Sequence, residues 1–315
     1  MRDSQIRYFR VIGILLFIWI IFRVQWVGVW SILCNLKVNY ILSYSLIFLI
    51  ATLLKILRLY LILNKLGFGL KFSLVYVIVV ESSLYGVVTP ARAGELSRVV
   101  YLKSHGISNR IAWFLVLIER LIDASVLSIA CIIGVLYFAS LSMETYGILL
   151  ALLLIISLSL FYCLKNLFIF PKITYFFFNL LLKKSKVNPV NESPTEFKDL
   201  LQLGKLSTYI TIPCSFAILF LSFFQLTLLG LSLNSNISSL YLGFAYTLSS
   251  LFSYLPISIG GLGTREIVYI SALSKVGIPE NIAFIISLLD GLIFPIIFLT
   301  ILITPILFYR SKLKQ

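Results

Sequence analysis

Apolar runs of about 20 residues recur along the whole chain, and they constrain its fold more than any other feature. A helix needs about 20 consecutive apolar residues to cross the hydrocarbon core of a bilayer. The runs of this kind predict about six full membrane spans, at approximately 8–30, 38–63, 109–140, 145–165, 206–233 and 281–308. We therefore expect an all-α integral membrane protein.

The composition excludes several function classes. The chain is 60% hydrophobic and only 12% charged, whereas soluble domains carry about 25% charged residues. A soluble enzyme or a disordered protein is therefore excluded. The net charge of +14 favours basic cytoplasmic loops beside anionic lipid, and we expect no nucleic-acid partner.

Two shorter apolar runs, about 72–89 and 238–255, are of a different kind. Each ends in a proline-containing polar motif, and each is followed by a short amphipathic stretch, about 93–103 and 265–275. These stretches are too short to cross the bilayer alone. Non-helical backbone at membrane depth is tolerated where it is buried in protein or lines a wet cavity. We therefore expect two re-entrant hairpins beside a polar cavity.

The distribution of basic residues supports the hairpins. If each short run crossed the membrane, the lysine-rich segment 165–205 would face outward, against the positive-inside rule. With re-entrant hairpins, a loop at about 166–205 and both chain termini lie in the cytoplasm. The expected location is the cytoplasmic (inner) membrane, with a multi-pass topology.

The chain contains an internal repeat. The string SSLY at 82–85 matches SSLF at 249–252, and Asp123 and Asp290 follow at nearly the same offset. Three crossings per copy would invert the second copy, as in many secondary transporters. An old duplication that serves only stability is the alternative. We expect one membrane domain over 1–315, with repeat 1 at about 8–140 and repeat 2 at about 145–308.

Charged residues fall at membrane depth. Glu119 lies about ten residues into its span, and Asp123 shares its helix face. Arg120 can pair with Asp123, which leaves a local charge of −1 unless one carboxyl is protonated. Asp290 reaches a similar depth in the second repeat. These residues are candidates for proton relay or for binding a cationic group, and a structural Arg120–Asp123 pair is the alternative.

Two basic residues, Lys55 and Arg58, lie near the cytoplasmic end of the second predicted span. Long basic side chains near the end of a span commonly extend toward the interface. We expect both to reach the membrane surface, and contact with a lipid headgroup is the alternative.

The first hairpin ends in the motif TPARAGELSR at 89–98. Pro90 and Gly94 break the helix and let the backbone turn. The planar guanidinium groups of Arg92 and Arg98 suit a phosphate or carboxylate. Glu95 can pair with either arginine or with a cationic headgroup.

The second hairpin ends in the motif PISIGGLGTRE, which begins at Pro256. Its glycines allow close backbone approach and leave N–H groups able to face an anion at the start of the next helix. A glycine turn with surface arginines is the alternative for both motifs. The residues assigned here to substrate binding are Gly260, Gly261, Gly263, Arg265 and Glu266.

No cofactor or metal is expected. The chain has four cysteines in no CxxC pair, and His105 is its single histidine, so zinc-ligand spacing is missing. No lysine with Ser/Thr follows the glycine motif, so it is not a nucleotide-binding loop.

The motif TPARAGELSR, the stretch IERLID at 118–123 and the motif PISIGGLGTRE, in this order, resemble the membrane region of lysylphosphatidylglycerol synthases. This region is the flippase-like domain of the multiple peptide resistance factor family. The resemblance implies translocation of lipids with modified headgroups, in some members aminoacylated phosphatidylglycerol. The matching positions are Pro90, Arg92, Gly94, Glu95, Arg98, Glu119, Arg120, Asp123, Pro256, Gly260, Gly261, Gly263 and Glu266.

The leading hypothesis is a lipid flippase that acts on anionic or headgroup-modified membrane lipids. The full synthases carry a soluble C-terminal transfer domain, whereas this chain ends at Gln315 after its last span, so we expect no synthase activity. An integral-membrane transferase for a lipid headgroup or lipid-linked sugar is one alternative, and a scaffold for an envelope-lipid enzyme is another. Self-association and an envelope-biosynthesis enzyme are the protein partners considered.

Overall fold

A computed structural model describes residues 30–31, 33–137, 195–233, 237–254, 258 and 260–312, and this part of the chain is helical. Nearly all of the predicted span 8–30, the span 145–165, most of the loop 166–205 and Pro256 lie outside the described residues.

Besides helical residues at 30–31 and 33–34, nine α-helices lie in the described part of the chain. A 3-10 turn at Ala93–Leu96 precedes the third helix, and a π-helical turn at Leu289–Ile293 joins the eighth to the ninth. The helices are α1 (Val38–Lys65), α2 (Phe72–Val88), α3 (Ser97–Ser104), α4 (Asn109–Tyr137), α5 (Thr195–Ser232), α6 (Ser239–Ser253), α7 (Thr264–Ser274), α8 (Glu280–Leu288) and α9 (Phe294–Lys312).

Three predicted spans are confirmed as helices long and apolar enough to cross a membrane. They are Val38–Lys65, Leu206–Ser232 and Glu280–Thr304. Helix α4 has 29 residues, which is also a sufficient length, but it carries several charges. Helix α2 is apolar but has only 17 residues. The count of six spans and the re-entrant paths remain predictions.

Helix α5 has the reverse of a water-soluble pattern. Its buried face is polar and includes Ser207, Thr211 and Ser215, which recur at helical spacing. Its outer face carries large apolar groups, and Phe220 is 71% exposed. Exposed aromatic rings are costly in water but favourable in lipid, and small polar residues let helices pack closely. The helix is therefore suited to a membrane.

A similar order of helices follows each glycine motif, and the internal repeat itself remains a prediction. Helices α2, α3 and α4 follow one another around the first glycine motif, and α6, α7 and the α8–α9 pair follow around the second. The predicted amphipathic stretches are confirmed as the short helices α3 and α7. Asp123 lies in a continuous helix, whereas Asp290 lies in the π-helical turn. Inversion of the second copy remains a prediction.

Helix α1 joins the two halves of the described structure. Its Tyr44 packs in an apolar cluster with α5, α6, α7 and α8. Further along the helix, Ile56 and Leu63 pack in a second cluster with α2, α3 and α4. The two clusters place both glycine motifs beside the same helix.

Candidate functional site

The first glycine motif forms a tight turn after α2. The helix ends at Val88, two residues before Pro90, so the predicted break is confirmed. The Thr89 hydroxyl donates to the carbonyl of Tyr85 at 2.7 Å and accepts the N–H of Gly94 at 2.6 Å. A Cβ on Gly94 would collide with the Tyr85 carbonyl. The close approach of these two segments therefore requires glycine.

Arg92 is held in an unusual backbone conformation within this turn. Ala91 and Arg92 have φ values of 53° and 51°, in the left-handed region that residues with a Cβ rarely adopt. The Arg92 guanidinium lies 5.7 Å from the ring centroid of Tyr254, which follows α6. The first motif therefore places a cation against the second half of the molecule.

The second glycine motif is a left-handed turn before α7. Gly260, Gly261 and Gly263 have φ values of 61°, 82° and 85°. The N–H of Gly263 donates to the Glu266 carboxylate at 2.6 Å, and the Ser287 hydroxyl donates to the same carboxylate at 3.4 Å. The anion that this N–H contacts is therefore the side chain of Glu266, which is buried.

The two motifs touch through their backbones. The N–H of Gly260 donates to the carbonyl of Thr89 at 3.3 Å. A Cβ on Gly260 would collide with the carbonyl oxygen of Val87. Glycine at this position therefore permits direct contact between the first and second motifs.

Glu119 lies at the centre of a buried ion network. Its carboxylate accepts from Arg58 Nε at 2.6 Å and from Arg98 Nη1 at 2.8 Å. Arg98 also donates from Nε to the Ser82 hydroxyl at 2.7 Å. The three charged side chains are at most 4% exposed, so water does not screen them. The network joins α1, α2, α3 and α4.

Asp123 binds the same arginine from one turn further along α4. Arg58 donates from Nη1 to Oδ1 at 2.7 Å and from Nη2 to Oδ2 at 3.1 Å, which is a bidentate pair. The Ser215 hydroxyl of α5 donates to Oδ1 at 2.5 Å and accepts from Arg58 Nη1 at 3.0 Å. The interface prediction for Arg58 is wrong, because two carboxylates hold its side chain in the protein interior.

The structural pair between Arg120 and Asp123, which is the alternative interpretation, is not formed. Arg120 instead forms an ion pair with Glu95 of the first motif. Glu95 also lies 3.5 Å from Arg98 Nη2, and the pairing expected between Glu95 and an arginine of its own motif is confirmed for Arg98. The reason is that Arg58 already occupies Asp123, whereas Glu95 is available to Arg120.

A second ion network, formed by Arg265, Asp290 and Tyr44, lies beside the second motif. Arg265 Nη2 donates to Asp290 at 3.1 Å, and the Tyr44 hydroxyl donates to the other carboxylate oxygen at 3.0 Å. A Cβ on Gly291 would collide with the Arg265 guanidinium, and a Cβ on Gly261 would meet the stem of the same side chain. These two glycines leave the space that Arg265 occupies.

The described part of the chain contains no candidate metal-binding site. No group of three or more His, Cys, Asp or Glu side chains is placed there to hold an ion. The carboxylates of the two networks contact arginines instead. The arrangement is suited to binding charged groups and to exchanging ion pairs.

The structure brings together most of the predicted site residues and adds several that sequence reasoning missed. The additions are Arg58, Ser82 and Ser215 in the first network and Tyr44 in the second. The sequence does contain a signal for a further cation such as Arg58. The predicted group of two acids and one arginine has a net charge of −1, so one positive charge is missing. The serines and the tyrosine carry no comparable signal in their local sequence.

Comparison with known proteins agrees with the motifs. Residues 10–303 match the family described as Lysylphosphatidylglycerol synthase TM region. The chain is 22% identical over 310 residues to a UPF0104 membrane protein of Methanocaldococcus jannaschii, covering 93% of this chain and 92% of the relative. No solved structure shows significant similarity to the chain. The resemblance predicted from the sequence is thus confirmed, and the chain belongs to the Lysylphosphatidylglycerol synthase TM region family.

Proposed function

We propose that this membrane protein is a lipid translocator that moves a phospholipid or lipid-linked headgroup between the leaflets of the cytoplasmic membrane. The observation that carries the proposal is the buried network around Glu119, beside the contact between Thr89 and Gly260. Charges inside a membrane protein are costly, and buried ion pairs are weak contributors to stability. A network of this size in an apolar helical protein therefore favours a functional role.

The proposed path runs between the two glycine motifs. The headgroup would move along the polar side chains of both ion networks, exchanging contacts with groups such as Arg92 and Arg265. The acyl tails would stay in lipid against the exposed apolar faces of α1 and α5, which carry Leu46 and Phe220. The driving force in this proposal is proton coupling or passive equilibration, and both termini lie in the cytoplasm.

The test is leaflet exchange in reconstituted vesicles. The full-length protein is inserted into liposomes that contain phosphatidylglycerol with a fluorescent acyl chain, and dithionite quenches the probe in the outer leaflet. Wild-type protein is expected to expose the inner-leaflet probe, whereas empty vesicles retain it. A wild-type rate equal to that of empty vesicles would exclude translocation of this lipid class.

Variants link the activity to the network. Glu119→Gln removes the charge that bridges Arg58 and Arg98, and we expect leaflet exchange to slow by about tenfold or more. Arg98→Lys retains the charge and serves as the milder change if Glu119→Gln does not fold. Glu280→Gln, at the exposed start of α8, is the matched control and should leave the rate unchanged.

Analysis of the lipids after the assay separates the alternatives. A translocator returns the probe chemically unchanged, so its mass should be the same before and after exposure to the protein. A new covalent product would favour the transferase hypothesis instead. Wild-type exchange rates in folded Glu119→Gln protein would contradict the assignment of the network to headgroup movement.

A further inference from the structure

The carboxylates of the two ion networks are already paired. Each accepts hydrogen bonds or an ion pair from arginine at short range. A cationic headgroup would therefore have to compete with a guanidinium for each of them. The pairs are Glu119 with Arg58 and Arg98, Asp123 with Arg58, Glu95 with Arg98 and Arg120, and Asp290 with Arg265.

The remaining buried carboxylates of this region also have partners. Glu266 accepts from the N–H of Gly263 and from Ser287. Glu81 of α2 forms a side-chain hydrogen bond with Tyr101. Neither carboxylate is left free to receive a cationic group.

Two cations are in the opposite situation. Lys55 and Arg92 form no salt bridge with any carboxylate in the described part of the chain. Both side chains are half-buried. Lys55 and Arg92 lie within electrostatic range of each other, so their positive charges repel. Lys55 is also within electrostatic range of Asp123, which already pairs with Arg58, and of Arg58 and Arg98. The first network and these two residues therefore have an excess of positive charge.

Arg92 places part of this positive charge between the two motifs. Its guanidinium lies over the ring of Tyr254, whose electrons hold the cation by one face. A guanidinium stacked in this way keeps its N–H donors at the edge, where they can bind two oxygens of one phosphate. Lys55 adds a point charge from α1 on the side of the first motif.

We infer that the headgroup handled by this protein carries net negative charge and that Arg92 and Lys55 bind its phosphate beside Tyr254. This assignment rests on the proposed function and narrows it to one class of substrate. It reverses the expectation that the network acids receive a cationic headgroup. The arginine-paired carboxylates then hold the helices in place around the anion site.

Binding of short-chain lipids to the purified full-length protein tests the site. The probes are dihexanoyl phosphatidylglycerol, its lysyl ester, dihexanoylglycerol without phosphate, and inorganic phosphate, each titrated in neutral detergent while the melting temperature is followed. We expect phosphatidylglycerol to bind most tightly, the lysyl ester more weakly, and dihexanoylglycerol not at all. Inorganic phosphate should compete only weakly, because it lacks the apolar contacts of the lipid.

The double variant Arg92→Gln with Lys55→Gln is expected to lose about tenfold or more in affinity for phosphatidylglycerol. Its melting temperature without lipid should fall little, because neither cation forms a salt bridge with a described carboxylate and only the contact of Arg92 with the Tyr254 ring is lost. The matched controls are Lys103→Gln, which removes an exposed lysine, and Lys37→Gln, which removes a cation lying 5.9 Å from the Tyr40 ring. Both controls should bind the lipid like the wild type.

Three results would overturn the inference. They are tighter binding of the lysyl ester than of phosphatidylglycerol, equal binding of dihexanoylglycerol, and unchanged affinity in the double variant. Inorganic phosphate that competes as strongly as the lipid would identify a site for the free ion instead of a headgroup. The leaflet-exchange assay separates the two proposals, since wild-type exchange without preference for anionic lipid contradicts only the substrate class. Anion binding without any exchange contradicts only the translocator proposal.

Discussion

The guanidinium of Arg58 and the carboxylate of Glu119 form a hydrogen bond of 2.6 Å in which both side chains are buried. The pair joins α1 to α4 across 61 positions of sequence. Because Arg58 also binds Asp123, this one side chain fixes α1 against two successive turns of α4. Its position gives both carboxylates a cationic partner inside the protein.

Replacing Arg58 by leucine should destabilise the protein strongly. The change leaves the buried Glu119 and the partly buried Asp123 without this cation. Breaking a buried pair by removing one partner costs about 3–5 kcal/mol. Thermal unfolding in detergent, followed by the loss of helical circular dichroism, measures the effect. Lys65→Leu, at the exposed end of the same helix, is the control and should shift the transition little.

Gly260→Ala should separate the two motifs. Alanine at a φ of +61° costs roughly 1–2 kcal/mol, and its Cβ would also collide with the Val87 carbonyl. Gly277→Ala is the matched control, because Gly277 has a φ of +77° but nothing within 4 Å of an added Cβ. We expect Gly260→Ala to lower the melting temperature more and to slow leaflet exchange. Equal effects of the two variants on melting temperature and exchange would show that backbone strain alone causes them, and that the contact with Val87 contributes nothing.

Tyr44→Phe should cost only about 1 kcal/mol of unfolding free energy. The variant loses the 3.0 Å hydrogen bond to Asp290 but keeps the aromatic packing on Phe294, whose ring centroid lies 5.0 Å away. Tyr44→Ala removes both and should cost about 3–5 kcal/mol. Comparing the two variants by thermal unfolding shows how much of the stability contributed by Tyr44 comes from its hydrogen bond. A hydroxyl loss as costly as loss of the whole side chain would indicate that Asp290 cannot tolerate losing this donor.

The predicted orientation in the membrane can be tested by cysteine labelling. Asn64 follows the predicted second span on its cytoplasmic side. Ser238 lies in the turn 232–239, which contains no lysine or arginine and is therefore predicted to face outward. Both are exposed in the structure. In a background lacking Cys34, Cys131, Cys163 and Cys214, an impermeant maleimide added to intact cells should label Ser238→Cys and not Asn64→Cys. The reverse pattern would contradict the cytoplasmic assignment of the termini.

The charged residues show how far sequence reasoning reaches. The depth of Glu119 and Asp123 and their shared face follow from helix periodicity alone, and the structure places both carboxylates on one arginine. The alternative pairing of Arg120 with Asp123 is not formed, because proximity along a helix does not reveal a competing group on another segment. Glu95 supplies that group across the first motif.

Glycines show the same division between local and tertiary information. The clustering of Gly260, Gly261 and Gly263 predicts a turn, since left-handed backbone favours glycine, and the structure contains that turn. Gly291 has no such local signal. Glycine is required at this position because the Arg265 guanidinium fills the space that a Cβ would occupy.

The sequence by itself determined that the chain is a helical membrane protein, where its long helices lie, and which two motifs interrupt them. These properties depend on local hydrophobicity, helix length and backbone freedom, which are read along the chain. Only the tertiary structure decided which charges pair, that Thr89 meets Gly260, and that Lys55 and Arg92 form no salt bridge with a described carboxylate. Pairing depends on how helices pack in space, because a buried charge selects its partner by distance and orientation and not by sequence separation.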